Sequence, residues 1–141
     1  MVDVGSGAGL PGIPLALARP EWHLVLVESS HKKSAFLRQA VLELQLRNVQ
    51  VVTERVERWH PPEPCDVAIS RAFSDLSGFI QGAKHLCRSG GLLAAMKGVY
   101  PDEELAQLGS DVKVREVIAL DVPDLRAARH LVLLKPLSGA A

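Results

Sequence analysis

Three glycines alternate in the stretch Asp3-Val4-Gly5-Ser6-Gly7-Ala8-Gly9, and two acids frame it: Asp3 just ahead, and Glu28 at the end of the next apolar run, "WHLVLVE". Glycine tolerates positive φ and carries no Cβ, so such a loop turns sharply and brings backbone against a ligand. A carboxylate at its rim accepts hydrogen bonds or pairs with a cation. Three basic residues stand at the ends of other apolar runs: Arg71 in "AISRAF", Lys97 in "LLAAMKG" and Arg129 in "RHLVLLK". A guanidinium so placed takes a carboxylate, a phosphate or a guanine edge through paired hydrogen bonds. Each of the three also reads as an ordinary surface charge. Phe73 offers a face for stacking on a base, and equally a core side chain.

Two ligand classes compete for the glycine loop. Gly7-Ala8-Gly9-Leu10-Pro11-Gly12 satisfies the dinucleotide pattern GxGxxG, with Glu28 about 20 residues on; an NAD-dependent oxidoreductase is therefore one reading. That pattern needs helix-start amides aimed at a pyrophosphate, and Pro11 and Pro14 each delete one. The other frame, Asp3-x-Gly5-x-Gly7-x-Gly9, is the pattern of S-adenosylmethionine-dependent methyltransferases. It suits a ligand without phosphates: backbone wraps the amino-acid end, Asp3 pairs with the ammonium, and Glu28 accepts from two ribose hydroxyls. Ser70-Arg71-Ala72-Phe73 stands where amino-group methyltransferases carry an (Asn/Asp)-Pro-Pro-aromatic motif, which argues against adenine-N6 or cytosine-N4 chemistry. Pro64-Cys65 resembles the nucleophilic pair of pyrimidine-C5 methyltransferases, yet it opens a strand, the wrong end for a site at strand carboxyl termini. Cys65 reads as core, and Cys87 is expected to end a helix without a partner.

The elements that must position these residues follow from hydrophobic periodicity. Strands are expected at 2–4, 22–28, 49–53, 65–70, 92–97, 113–120 and 129–135. Helices are expected near 13–19, 31–46, 75–88 and 101–108, the last with Pro101 and three acids in its first turn, where the dipole favours negative charge. Repeated β-α-β units imply an α/β fold, a mostly parallel sheet covered by helices on both faces. The last two strands lack a helix between them, so one antiparallel strand is expected near the C-terminus.

At 141 residues the chain reads as one domain, residues 1–141. Hydrophobic residues make up 48% and charged residues 23%, the profile of a globular core-forming protein. No apolar run approaches a membrane span, and no secretory leader is recognisable. Two cysteines without metal-site spacing fit a reduced cytoplasmic protein. Sixteen basic and sixteen acidic residues cancel, so any nucleic-acid contact rests on a local patch rather than on net charge. His31, Lys32 and Lys33 open one helix and read as solvated rather than RNA-binding.

Five segments together, "DVGSGAGLPGIPLALARP", "KKSAFLRQAVLELQLRNV", "DVAISRAF", "GGLLAAMKG" and "RHLVLLK", resemble the RsmG (GidB) family of bacterial 16S rRNA guanine-N7 methyltransferases. The resemblance spans nearly the whole chain and implies a class I, Rossmann-like methyltransferase fold. It also implies S-adenosyl-L-methionine as donor and 16S rRNA or the small ribosomal subunit as partner, with the protein a cytoplasmic monomer. Carried over by motif, Gly5 and Leu10 line the cofactor pocket beside Gly7 and Gly9, and Glu28 meets the ribose. Val56 and Glu57 border the adenine, Arg71 closes the site, and Lys97 and Arg129 face the substrate. No metal and no general base are implied. Family members carry a helical segment of several dozen residues ahead of the first strand, which this sequence lacks. An N-terminally truncated, cofactor-binding fragment with little or no activity is the alternative expectation.

Overall fold

Short runs of valine, isoleucine and leucine, punctuated by glycine, proline and charged residues, build a seven-stranded sheet. The computed structural model describes residues 1–71 and 75–137. The strands are β1 (Val2–Val4), β2 (Leu24–Glu28), β3 (Val49–Thr53), β4 (Cys65–Ser70), β5 (Cys87–Lys97), β6 (Val112–Ala119) and β7 (His130–Pro136). Among the described residues the helices are α1 (Gly12–Ala18), α2 (His31–Glu43), α3 (Leu76–Ala83) and α4 (Asp102–Ala106). None is long and apolar enough to cross a membrane.

The strand order is β3-β2-β1-β4-β5-β7-β6. Strands β1 to β5 run parallel, and β7 runs antiparallel to both β5 and β6. Alternate side chains point to opposite faces of a strand, and both faces are covered. Leu26 packs with Ile13 of α1 and Leu37 of α2 on one side. Val2, Val4 and Val27 pack with Leu76, Phe79 and Ile80 of α3 on the other. Two-sided burial explains why β2 reads as a nearly unbroken apolar run.

Local chemistry sets the helix starts. Ser30 caps α2 by accepting from the Lys33 amide at 3.2 Å, and Asp75 caps α3 by accepting from the Gly78 amide at 2.6 Å. Helix α2 stops at Glu43, and Gln45 beyond it takes a φ of +53°, the left-handed turn that commonly ends a helix.

Beyond shifts of a few residues at element ends, such as α2 stopping at Glu43 rather than Leu46, one segment changes type. The helix anticipated over 75–88 ends at Ala83, a 3-10 turn covers Lys84–Leu86, and β5 begins at Cys87 rather than at Leu92. Gly78 and Gly82 weaken the helix, and pairing with β4 draws the following residues into the sheet. Cys87 therefore opens a strand beside Cys65, and the expectation that it ends a helix without a partner is corrected.

The strand order reverses between β1 and β4. In open α/β sheets the crevice beyond the carboxyl ends at such a point is where ligands bind. Ser70, the last residue of β4, bridges the two strands by donating its hydroxyl to the Val4 carbonyl at 3.1 Å.

Candidate functional site

Strand β1 runs directly into the glycine loop at this crevice. Gly5, Gly7 and Gly9 have φ values of +67°, +56° and +91°, so their alternation answers a backbone requirement that L side chains meet only at a cost of roughly 1–2 kcal/mol each. The loop folds back onto β2: the Gly5 and Ser6 amides donate to the Val27 carbonyl at 2.9 and 3.2 Å. Glu28 ties it further. Its Oε1 accepts from the Gly7 amide at 2.9 Å, and its Oε2 accepts from the Ser30 amide at 2.8 Å. Each carboxylate oxygen retains a second lone pair.

Asp3 turns inward. Its side chain is fully buried, and Oδ2 accepts from the Gly12 amide at 2.9 Å, one of the amides at a helix start that lack an intrahelical partner. Glycine is required there, since a Cβ on Gly12 would lie 2.3 Å from Leu26 Cδ2 and 2.7 Å from Asp3 Oδ2. Burial pushes the Asp3 carboxyl up to about 7, against the pull of the Gly12 amide, the Ser6 hydroxyl and the Arg71 charge; Glu28 adds repulsion. Asp3 Oδ1 is buried with no hydrogen-bond partner among the described residues. Asp3, expected from the motif to pair with a ligand ammonium, thus sits beneath the loop, where its carboxyl shapes the loop and its charge.

The glycines divide by the side they face. A Cβ on Gly9 would strike Ile13 Cδ1 at 2.5 Å, so Gly9 lets α1 pack closely. A Cβ on Gly7 would meet nothing nearer than the Gly5 carbonyl at 3.9 Å, so the space over Gly7 is open. Leu10 is exposed just beyond.

Next to the loop lies a cavity of about 180 Å³, smaller than the ~300–1,000 Å³ of whole-ligand pockets and suited to one end of a ligand. Val4, Gly5 and Val27 form one wall; Val56 and Glu57, from a 3-10 turn over Val56–Arg58, form another. Sequence reasoning missed Ser29, Glu54 and Arg55, which also line it, and Thr53, whose buried Oγ1 has no partner among the described residues. Their signal was positional: Ser29 follows Glu28, Thr53 ends β3 opposite Glu28, and Glu54 and Arg55 come directly after it. A larger cavity, about 720 Å³, opens at the opposite edge among Trp22, Trp59 and Pro64. The smaller one marks the candidate site because it sits at the strands' carboxyl ends.

The basic candidates gather along the same edge. Arg71 is exposed just past β4, close enough for its charge to act on Asp3. Lys97 ends β5 with its Nζ 2.9 Å from Glu104 Oε1, its side chain only 13% exposed. The same Glu104 oxygen accepts from the Leu76 amide at 2.9 Å, so this ion pair joins β5, α3 and α4. Arg129 is exposed, donates to the Ala128 carbonyl at 2.8 Å, and precedes His130, the partner of Lys97 across β5 and β7. His31, Lys32 and Lys33 are exposed on the first turn of α2. Phe73 lies outside the described residues.

A mostly parallel sheet in this order, with β7 antiparallel, a glycine loop at its reversal and an acid ending β2, defines the class I, Rossmann-like methyltransferase fold. A solved methyltransferase from Thiobacillus denitrificans, in complex with S-adenosyl-L-homocysteine, superposes with a TM-score of 0.70 at 12% identity, covering 96% of this chain and 84% of that one. The model of the GidB family, rRNA small subunit methyltransferase G, matches residues 1–132, and the chain belongs to that family. Ribosomal RNA small subunit methyltransferase G of Laribacter hongkongensis is 58% identical over 134 residues, covering 95% of this chain and 65% of the relative. Its counterpart in Nitrosospira multiformis is 58% identical over 142 residues, covering 96% of this chain and 66% of the relative. The chain thus spans just under two thirds of the length of these curated relatives.

Proposed function

We propose that this protein transfers the methyl group of S-adenosyl-L-methionine to N7 of a guanine in 16S rRNA, acting in the cytoplasm, as a monomer, on the rRNA or the small ribosomal subunit. Family membership and the names of the relatives support the reaction class. The observation that carries the cofactor is the Glu28–Gly7 tie beside open space and a cavity of about 180 Å³. A dinucleotide reading fits poorly, because Gly12 already spends its helix-start amide on Asp3 and prolines occupy positions 11 and 14.

The residues present suit the donor. Gly5 and Gly7 would lie along its amino-acid end with Leu10 beside them, and the remaining lone pairs of Glu28 suit ribose hydroxyls. Val56 and Glu57 would border the adenine. Asp3 and Gly9 hold the loop in shape without touching it. S-adenosylmethionine, when bound, supplies an electrophilic methyl group. Guanine N7 has an exposed lone pair and no proton, so the chain needs no general base. Its task is alignment, with reacting atoms about 3–3.5 Å apart. Arg71 would take the donor carboxylate, a phosphate or guanine O6; Arg129 would take a phosphate, and Lys97 would add charge behind them while fixed to Glu104.

Calorimetric titration with S-adenosylmethionine and with NAD tests the cofactor: micromolar binding of the first alone is expected, and the reverse preference would overturn the proposal. Mapping 7-methylguanine by mass on small-subunit rRNA after incubation with the chain tests the reaction. Binding without 7-methylguanine would reduce the reading to a cofactor-binding module.

A further inference from the structure

Two thiols face each other at the amino-terminal edge of the sheet, the end remote from the glycine loop. Cys65 opens β4, Cys87 opens β5, and the register pairs them Cα to Cα. Both are free thiols, Cys65 buried and Cys87 half-buried, and the Cys87 thiol donates to the Leu92 carbonyl at 3.5 Å. Neighbouring strands lie about 4.8 Å apart, inside the ~4.4–6.8 Å Cα separation that a disulfide spans. Paired residues of a parallel ladder also project to the same face. The backbone beside the pair has slack. Between this pair and the next, Val67 with Leu92, one residue of β4 stands against four of β5. That excursion, Arg88–Gly91, is held by the Arg88–Asp66 ion pair rather than by ladder pairing. Access is present on both sides: Cys65 lines the cavity of about 720 Å³, and Cys87 reaches solvent directly.

We propose that Cys65 and Cys87 form a redox-active dithiol, a covalent modification site that a peroxide closes to an intrachain disulfide. Cys87 keeps its proton on the Leu92 carbonyl, the neighbouring Cys65 and burial push its thiol up, and the proximity of Cys87 holds the Cys65 thiol below its ordinary range. Cys65 is therefore the attacking thiolate and Cys87 the resolving thiol. Cys65 sulfur attacks one peroxide oxygen, the O–O bond breaks, and one water leaves behind a sulfenic acid. Cys87 sulfur then displaces that hydroxyl, the S–S bond forms, and a second water departs. Hydrogen peroxide accepts both electrons, and the two thiol protons leave in the two waters. Excess dithiol reductant reverses the step by exchange. The site shares no residue with the cofactor cleft, so it stands independently of the proposed methyl transfer.

The test uses the folded full chain, exposed to hydrogen peroxide, alkylated, and weighed intact and after digestion without reductant. The expected result is a loss of about 2 Da, one peptide pair joined through Cys65 and Cys87, and recovery of both alkylatable thiols with dithiothreitol. Cys87→Ser should leave Cys65 as a sulfenic acid trapped by dimedone, and Cys65→Ser should slow peroxide consumption at least about tenfold. The wild-type measurement stands even if a serine variant misfolds. Two thiols still alkylatable after exposure, oxygen added to the two cysteines separately, or only intermolecular crosslinks would each overturn the proposal.

Discussion

Asp3 and Glu28 are both acids beside one glycine loop, and their surroundings give them opposite accounts of the solvent. Glu28 holds two amides at the cleft edge; Asp3 holds one amide in the dry interior, and its carboxyl rises to about 7. Between the unfolded value of 3.8 and about 7 the folded state binds more protons than the unfolded one. Stability from this group is therefore full below pH 4 and falls as pH rises through about 7. Asp3→Asn keeps an acceptor for Gly12 and removes the charge. Relative to wild type it should gain about 2–4 kcal/mol between pH 4 and pH 7.5 in urea titrations; parallel curves would refute the assignment. Gly7 makes the complementary prediction on the cleft side. Gly7→Val places a branched side chain in open space at a φ of +56°, and should abolish S-adenosylmethionine binding by calorimetry while the circular dichroism spectrum persists.

Among the elements, the junction of β1, loop and α1 is the tightest fit. Helix α1 starts on Gly12, wedged between Asp3 and Leu26, so its distance from the sheet is set by one missing methyl group. Gly12→Ala should cost about 1–3 kcal/mol through overpacking, read as a lower urea midpoint; an unchanged midpoint would show that α1 can shift freely. The α3–α4 junction works through charge instead. Glu104 receives the Leu76 amide at the start of α3 and the Lys97 ammonium at the end of β5, which anchors the descent of the chain from the cleft edge. Glu104→Gln retains the amide contact and loses the ion pair, and should lower the urea midpoint by about 1–3 kcal/mol equivalent, since it leaves a largely buried ammonium less well paired. A neutral effect would mean that Lys97 is held by packing.

For the molecule as a whole, stability resides in the layer between the sheet and α3. Phe79 is 1% exposed against Val4, Val27 and Leu93 of the same cluster, and Phe79→Ala should cost about 3–5 kcal/mol, seen as a thermal midpoint many degrees lower. A shift of only a degree or two would move the centre of the core elsewhere. Much of this architecture was legible beforehand. The apolar runs of β3 and β4 are bounded by turn residues, and both strands match their expected limits, 49–53 and 65–70. The alternating glycines and Glu28 were legible for a similar reason: positive φ and a strand-ending acid leave marks in local residue type. What depended on neighbours distant in sequence was not. The periodicity of "GFIQGAKHLC" reads as helix throughout, yet pairing with β4 converts Cys87 to strand. Lys97 looks like a solvent-facing cation until Glu104 is brought to it from another element.

The residues by themselves determined the alternation of strands and helices, the glycine loop's conformation and the kind of ligand its acids suit, because periodicity, φ preference and charge are written within a few positions. The tertiary structure alone decided that Asp3 points inward, that β7 lies between β5 and β6, and that Cys65 meets Cys87. Each of these is a question of register and burial. They are settled by which distant segments share a face and exclude water together, and no single stretch of chain carries that information.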